Sequence, residues 1–514
     1  MTGTHILTID IGTSSTKTVL WTLDGTVVAQ ASQAYPLERP EPVWAEIDAD
    51  LWWRAACATI QRVLAESRLD PAAIAGVGVD GVGWTLVPVT SNGDPLRPAM
   101  IWLDRRAEVE AAQLREHPRA EALIDLDANP LDPAYITPKL LWLQSHEPEI
   151  AERAHQYLAC TGFIVARLTG AFTCDYTQAY GYHFFDLRRE RWSTDTARAL
   201  SIPIEKLPPL SPCTDLAGAV TSSAAAVTGL RAGTPVIAGC LDAAVGALGS
   251  GVTRLGQTNE QGGQAGGMAV SLDRVVVEPR LIFSHHVLNG QYLLQGGTVG
   301  GGSLGWFRDV FGQVEAAAAQ LTGGDVFALL SAEAARAPAG SHGLIFLPYM
   351  AGERTPLWNT QARGALFGLT YSSSRADIVR AIMEGCAYAV LDNIQVAAEH
   401  GVHIDEYLGS GGATHSPTWC QIKADVYGKP FVLARRPDGG EGGHALGLMA
   451  LTAQGLGLVR DAGPFVEHLL PSRRVYEPDP IRHARYLELF AVYRSLSRKL
   501  LDEARALARL SART

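Results

Sequence analysis

The chain has 514 residues, with 43 Lys and Arg against 53 Asp and Glu, for a net charge of −10 spread along its length. That is too long for one core, so two large domains are expected; no basic stripe offers a footing for nucleic acid, and no apolar run reaches membrane-spanning length. The seven cysteines are an odd number with no C-x-x-C pair, and the N-terminus enters a strand pattern without a signal-peptide profile, which points to a cytoplasmic chain lacking a disulfide frame or zinc site.

Residues 6–11, Ile-Leu-Thr-Ile-Asp-Ile, read as a strand that carries Asp10 near its end. Gly12 to Lys17 is a turn, and Thr18 to Leu23 a second strand. Asp24-Gly25 is a hairpin signal before a third. The small hydroxyl residues Thr13 and Ser14 bring O–H and N–H donors to one spot, an arrangement that suits phosphate; the competing reading is a plain polar hairpin. No Walker loop occurs anywhere in the chain.

Ala49 to Glu66 has helical periodicity. Gly76-Val-Gly-Val-Asp-Gly81 matches G-x-G-x-x-G, but a strand-like stretch from Trp84 to Val89 follows instead of a helix, which rules out a dinucleotide site. Ile101 opens a helix to Leu114 with Asp104 near its start. Pro138 begins another helix, and Ala151 to Leu168 a further one closed by Gly170. Residues 171–210 are loop-rich.

Thr234 to Gly251 is the most informative stretch. Val236 to Ala238 fits a buried strand, Gly239 breaks it, and Ala243 to Leu248 is small and helix-permissive. Asp242 therefore stands where a strand hands over to a helix. In open α/β sheets the strand ends form the ligand crevice, and a helix N-terminus favours an ionised carboxylate. An N-cap Asp is the competing reading.

Gln257 to Gly267 is a second small-residue turn that lets backbone approach a phosphate. After a strand at 290–296, Gly300-Gly-Gly-Ser-Leu-Gly-Trp306 contains G-x-S-x-G around Ser303, the nucleophile elbow of α/β-hydrolases, with Asp325, Asp405 and His444 in suitable chain order. Its glycines suit a nucleotide equally. Ala376 to Ala398 is a long amphipathic helix. Gly409 to Ala413 opens one more helix, and Glu441 to Gly447 another.

Taken together, these landmarks resemble the FGGY carbohydrate kinases, nearest their xylulokinase-like members, from about residue 5 to about residue 500. Asp10-Ile-Gly-Thr-Ser-Ser is similar to the family's first phosphate hairpin, and Trp102-Leu-Asp104-Arg-Arg106 to its W-x-D-x-R. Gly364 to Leu369 followed by Asp377 to Glu384 resembles the second family signature, and Gly411-Gly412-Ala413 with Trp419 the adenosine-binding segment. The resemblance implies an α/β fold of two actin-like, ribonuclease-H-like domains around a catalytic cleft, residues 1–252 on the sugar side and 253–514 on the ATP side. It implies Asp242 as general base toward a sugar or polyol hydroxyl. Asp80, Gly81, Val82, Asp104 and Ala243 are implied around the acceptor, and Mg²⁺ near Asp10. ATP is implied against Thr13, Ser14, Gly263, Gln264, Gly301, Gly302, Gly411, Gly412 and Ala413. A homodimer is compatible with it.

The chain departs from that pattern in places. Xylulokinases carry Gln-Met-His-Gly, which touches the ketose, where this chain has Asp80-Gly-Val-Gly83. Gly262-Gly-Gln-Ala265 replaces Gly-Thr-Ser-Gly, and Ala243 stands where an amide is common. ATP-dependent phosphorylation of a small acceptor such as D-xylulose is the expectation. Gluconate, ribulose or an erythritol-type polyol are other acceptors, and a sensing paralogue without turnover is the competing class.

Overall fold

A computed structural model describes residues 3–511, and in it two seven-stranded sheets are built on the same plan. In the first, His5–Ile11, Ser15–Thr22 and Val27–Ala34 form an antiparallel meander. The helix Ala49–Ser67, started by the Asp48 cap and ended at Arg68, covers that meander and returns the chain to Ile74–Gly81. That strand lies parallel to His5–Ile11. Ile6, Leu7, Ile9 and Ile11 are all fully buried, because both faces of the sheet are covered and the strand needs no polar side.

The second sheet repeats the arrangement. Gln257–Gly262, Ala265–Leu272 and Tyr292–Val299 form the meander. The helix Arg375–Glu399, begun by a Ser374–Asp377 capping box, leads to Glu406–Ser410, parallel to Gln257–Gly262. Pro417–Tyr427 then crosses to Phe431–Arg435. Long crossover helices are what parallel neighbours require.

One helix ties the halves together. His444–Gly455 lies in sequence between two strands of the second sheet, Phe431–Arg435 and Ser472–Tyr476, yet it packs on His5–Ile11, on Ile74–Gly81 and along Asp242–Gly249. The two helices approach backbone to backbone: a Cβ on Gly447 would stand 2.2 Å from the Val245 carbonyl oxygen.

Two expected helices differ. Ala151 to Leu168 is split into Pro148–Arg153, a strand Gln156–Leu158 and Cys160–Thr169. The short strand pairs with Val87–Val89, a tertiary demand that local periodicity does not record. The helix expected from Ile101 starts at Glu108, which leaves Asp104 in a turn. Among the described residues no helix is long and apolar enough to cross a membrane.

Candidate active site

Three carboxylates converge where the first sheet meets the connecting helices. Asp10 and Asp80 are register partners on parallel strands, so their side chains leave the sheet on one face. Gly239 separates Pro235–Ile237 from Cys240–Leu241; its φ of 86° and the Val79 carbonyl oxygen, 2.3 Å from where a Cβ would lie, both demand glycine. Cys240–Leu241 then pairs with Asp80-Gly81 and delivers Asp242 as the first residue of the helix Asp242–Gly249. Asp242 is thus inside the helix, not its cap: Leu241 holds the cap position, and Asp242 Oδ1 accepts the Ala243 N–H at 2.6 Å.

Burial first, and Asp10 second, push the Asp242 carboxyl up to about 6, against the pull of His444. Desolvation lifts it well above an ordinary Asp, yet at neutral pH the carboxyl stays mostly ionised. Burial likewise raises Asp10, opposed by His444 and Lys17. Asp80 is pushed furthest above the usual carboxylate range, by burial and then by its neighbours Asp10 and Asp242.

Asp242 lines a cavity of about 260 Å³ together with Thr13, Val82, Trp84, Trp102, Tyr180 and Arg354. Ala243 is also on its wall. Trp102 Nε1 donates to Thr13 Oγ1 at 3.0 Å, and the Arg354 guanidinium lies 5.1 Å from the Trp102 ring centroid. The walls are stapled from behind. Lys139 Nζ donates to the carbonyls of Trp84 and Ile101, each at 2.7 Å, and burial pushes its ammonium down to about 7. One buried amine thus ties together the segments that carry Trp84 and Trp102.

Two further cavities continue the cleft. One of about 420 Å³ is lined by Gly263, Gln264, Gly301, Gly412, Ala413 and Trp419. The other, of about 510 Å³, shares Gly263 and Gln264 with it and extends to Asp10, Lys17, Gly411 and His444. Gln261 and Ala265 belong to both this cavity and the one holding Asp242, so the three are consecutive chambers.

Several expected site residues lie elsewhere. Asp104 is fully buried and consumed: Oδ2 accepts the Ala45 N–H at 2.7 Å, and Arg106 grips both oxygens. It shapes the turn beneath Trp102 and does not line the acceptor cavity. Gly81 is packed against Cys160, whose Sγ is 2.6 Å from where a Cβ would lie. Asp80 faces Asp10 and His444 and is not among the residues lining the Asp242 cavity. Ser14 is exposed, and it lines none of the three chambers. The Gly301 and Gly302 amides donate to the carbonyls of Gly263 and Gln264, at 2.7 and 3.1 Å. They therefore brace the turn and are not free phosphate donors. Ser303, the elbow candidate, is fully buried behind them with Asp325 spent as a helix cap, which removes the hydrolase reading.

Trp84, Tyr180, Lys139 and Arg354 went unread as site residues. Lys139 alone left a trace, a cation on a helix otherwise buried from Ile136 to Leu140.

Two family models, the N-terminal and C-terminal domains of the FGGY family of carbohydrate kinases, match residues 5–249 and 277–453. The chain belongs to the FGGY family of carbohydrate kinases. The kinase is 30% identical over 496 residues to a xylulose kinase of Escherichia coli, covering 96% of this chain and 98% of that one. The xylulose kinase structure from Rhodospirillum rubrum superposes on this kinase with a TM-score of 0.87 at 31% identity, over 98% of this chain and all of the other. A gluconate kinase structure from Lactobacillus acidophilus gives a TM-score of 0.87 at 25% identity, over 97% and 98%. The twin sheets are accordingly the two actin-like halves of an ATP-dependent sugar kinase.

Proposed function

We propose that this kinase moves the terminal phosphoryl group of ATP onto a hydroxyl of a small sugar or polyol held in the Asp242 chamber, with Asp242 as general base. The observation that carries this is the wall shared through Gln261 and Ala265. It sets the acceptor chamber directly beside the chamber that joins Asp10 to the Gly263 and Gly411 turns. Phosphoryl transfer needs alignment and charge neutralisation more than covalent chemistry, and a cleft between two halves supplies both. Residues 1–252 form the acceptor side in this reading and 253–514 the nucleotide side, with Gly412, Ala413 and Trp419 in the adenosine chamber.

The residues around Asp10 fit a divalent cation, since an oxygen from each of two carboxylates and an imidazole nitrogen lie within 4.8 Å of one another there. Such an ion would supply charge neutralisation on the phosphates. Asp242 takes the hydroxyl proton, Trp84, Trp102 and Tyr180 exclude water, and Arg354 offers a charged donor to the acceptor.

D-Xylulose is the first acceptor to test, given the xylulose kinases among the relatives. A different small acceptor such as gluconate is the second reading. It is favoured by Val82, an apolar wall residue where the xylulokinase pattern has a hydrogen-bonding histidine. Coupled ADP release over a panel of ketoses, aldonates and polyols tests both. Acceptor-dependent release identifies the substrate. ATP binding without release under any acceptor would favour the sensing paralogue, and equal release with and without acceptor would leave only an ATPase.

A further inference from the structure

Among the described residues, Asp80 is the one acid whose two carboxyl oxygens are both buried and unpartnered. It is fully buried, and neither Oδ1 nor Oδ2 has a hydrogen-bond partner. A carboxylate left so is costly unless something positive arrives. It stands beside Asp10 in the sheet, which adds a second like charge to the same spot. Across from them is His444, the first residue of the helix that bridges the halves. An oxygen from each carboxylate and a ring nitrogen of His444 all lie within 4.8 Å of one another.

The imidazole is held there by packing. A Cβ on Gly246 would lie 2.3 Å from His444 Cδ2 and 2.6 Å from Nε2, so that edge of the ring rests on bare helix backbone. Nδ1 is then turned toward Asp10, 4.0 Å from Oδ2. Lys17, the cross-strand neighbour of Asp10, is the other cation nearby; it acts on Asp10 through space and gives Asp80 no bond.

We infer that Asp10, Asp80 and His444 form one divalent-cation site whose imidazole ligand makes it prefer a first-row transition ion, such as Mn²⁺ or Co²⁺, over Mg²⁺. Two carboxylates alone suit Mg²⁺, Ca²⁺ and Mn²⁺ alike; a nitrogen donor tilts the choice toward transition ions, with Co²⁺ ahead of Mn²⁺. The ion satisfies the orphaned Asp80 oxygens and relieves the repulsion between the two acids. Because Asp10 and Asp80 belong to the first sheet and His444 to the bridging helix, the ion also clasps the two halves at the cleft floor. The kinase reading is needed only for the ion's role in turnover, not for the site itself.

The test is metal binding to the nucleotide-free full-length protein. Mn²⁺ is followed by loss of the free-ion paramagnetic resonance signal, and Mg²⁺ and Co²⁺ by competition. One Mn²⁺ per chain is expected, bound about 10-fold or more tightly than Mg²⁺, with Co²⁺ tighter still. His444→Ala should bring the Mn²⁺ to Mg²⁺ ratio close to one while Mg²⁺ affinity stays near wild type. Asp80→Asn, nearly isosteric, should weaken both ions about 10- to 100-fold. Equal wild-type affinity for Mg²⁺ and Mn²⁺, a wild-type ratio in His444→Ala, unchanged Mn²⁺ affinity in Asp80→Asn, or no binding without ATP would each overturn the inference. Sugar-dependent ADP release on the same preparations speaks separately to the kinase reading.

Discussion

Asp242 is the residue on which proton transfer turns in the proposed reaction. Replacing it with asparagine keeps shape and removes the base, so acceptor phosphorylation should fall about 10²- to 10⁴-fold while ATP affinity, read by nucleotide titration, stays near wild type. Near-wild-type turnover would show the proton leaving by another route. The ionised form is the active one. With the carboxyl near 6, kcat/KM should climb as pH rises through about 6 and level off above it. Below that point each pH unit removes about tenfold. The slope should vanish in Asp242→Asn, and a flat wild-type profile between pH 5 and 7 would contradict the assignment. Ser303 marks the opposite case. Its pattern matched a nucleophile, yet full burial predicts no labelling by a serine-reactive phosphonate, checked by intact mass.

At the scale of elements, two packed features hold the cleft in place. The first is the meeting of Asp242–Gly249 with His444–Gly455. Gly246→Ala would drive a methyl into the His444 ring. Such overpacking typically costs about 1–3 kcal/mol, to be read from urea unfolding. No change in midpoint would mean that the imidazole moves aside freely. The second is the buried pair of Lys423 and Glu260, 2.6 Å apart, which joins the helix Pro417–Tyr427 to the strand Gln257–Gly262 just before the Gly263 turn. Lys423→Met leaves a buried acid unpaired, so a loss of about 3–5 kcal/mol is expected, with weaker ATP binding as the turn loosens. The sequence displayed Gln257 to Gly267 as one small-residue turn; the structure makes it two paired strands, Gln257–Gly262 and Ala265–Leu272, joined by Gly263-Gln264, and braces the first by an ion pair whose partners are far apart in the chain.

Across the whole molecule, the Asp242 cavity is walled from both halves, by Trp84 and Trp102 of the first and Gln295 and Arg354 of the second, and the Asp10 cavity likewise joins Lys17 to Gly411. Closure around two ligands excludes water from the reaction. ADP release should therefore be slow with ATP alone and rise sharply with the acceptor. Small-angle scattering should record compaction that is largest with acceptor and a non-hydrolysable ATP analogue together. An acceptor-independent radius would count against a hinged mechanism.

Strand–turn–helix punctuation around Asp10 and Asp242 was written locally, in residue size and backbone freedom, so the α/β character and the place of Asp242 at a strand-to-helix junction were readable without coordinates. Which side chains face the cleft was not, because facing depends on register and on helices that arrive from hundreds of residues away. Asp104 looked like a ligand and is spent on Arg106; Gly302 looked like a phosphate donor and is spent on Gln264. His444 looked like the last member of a hydrolase order until a helix from the second half laid it beside two acids of the first sheet. Burial and partnership are properties of the assembled whole, and these alone separate a carboxylate that binds from one that braces.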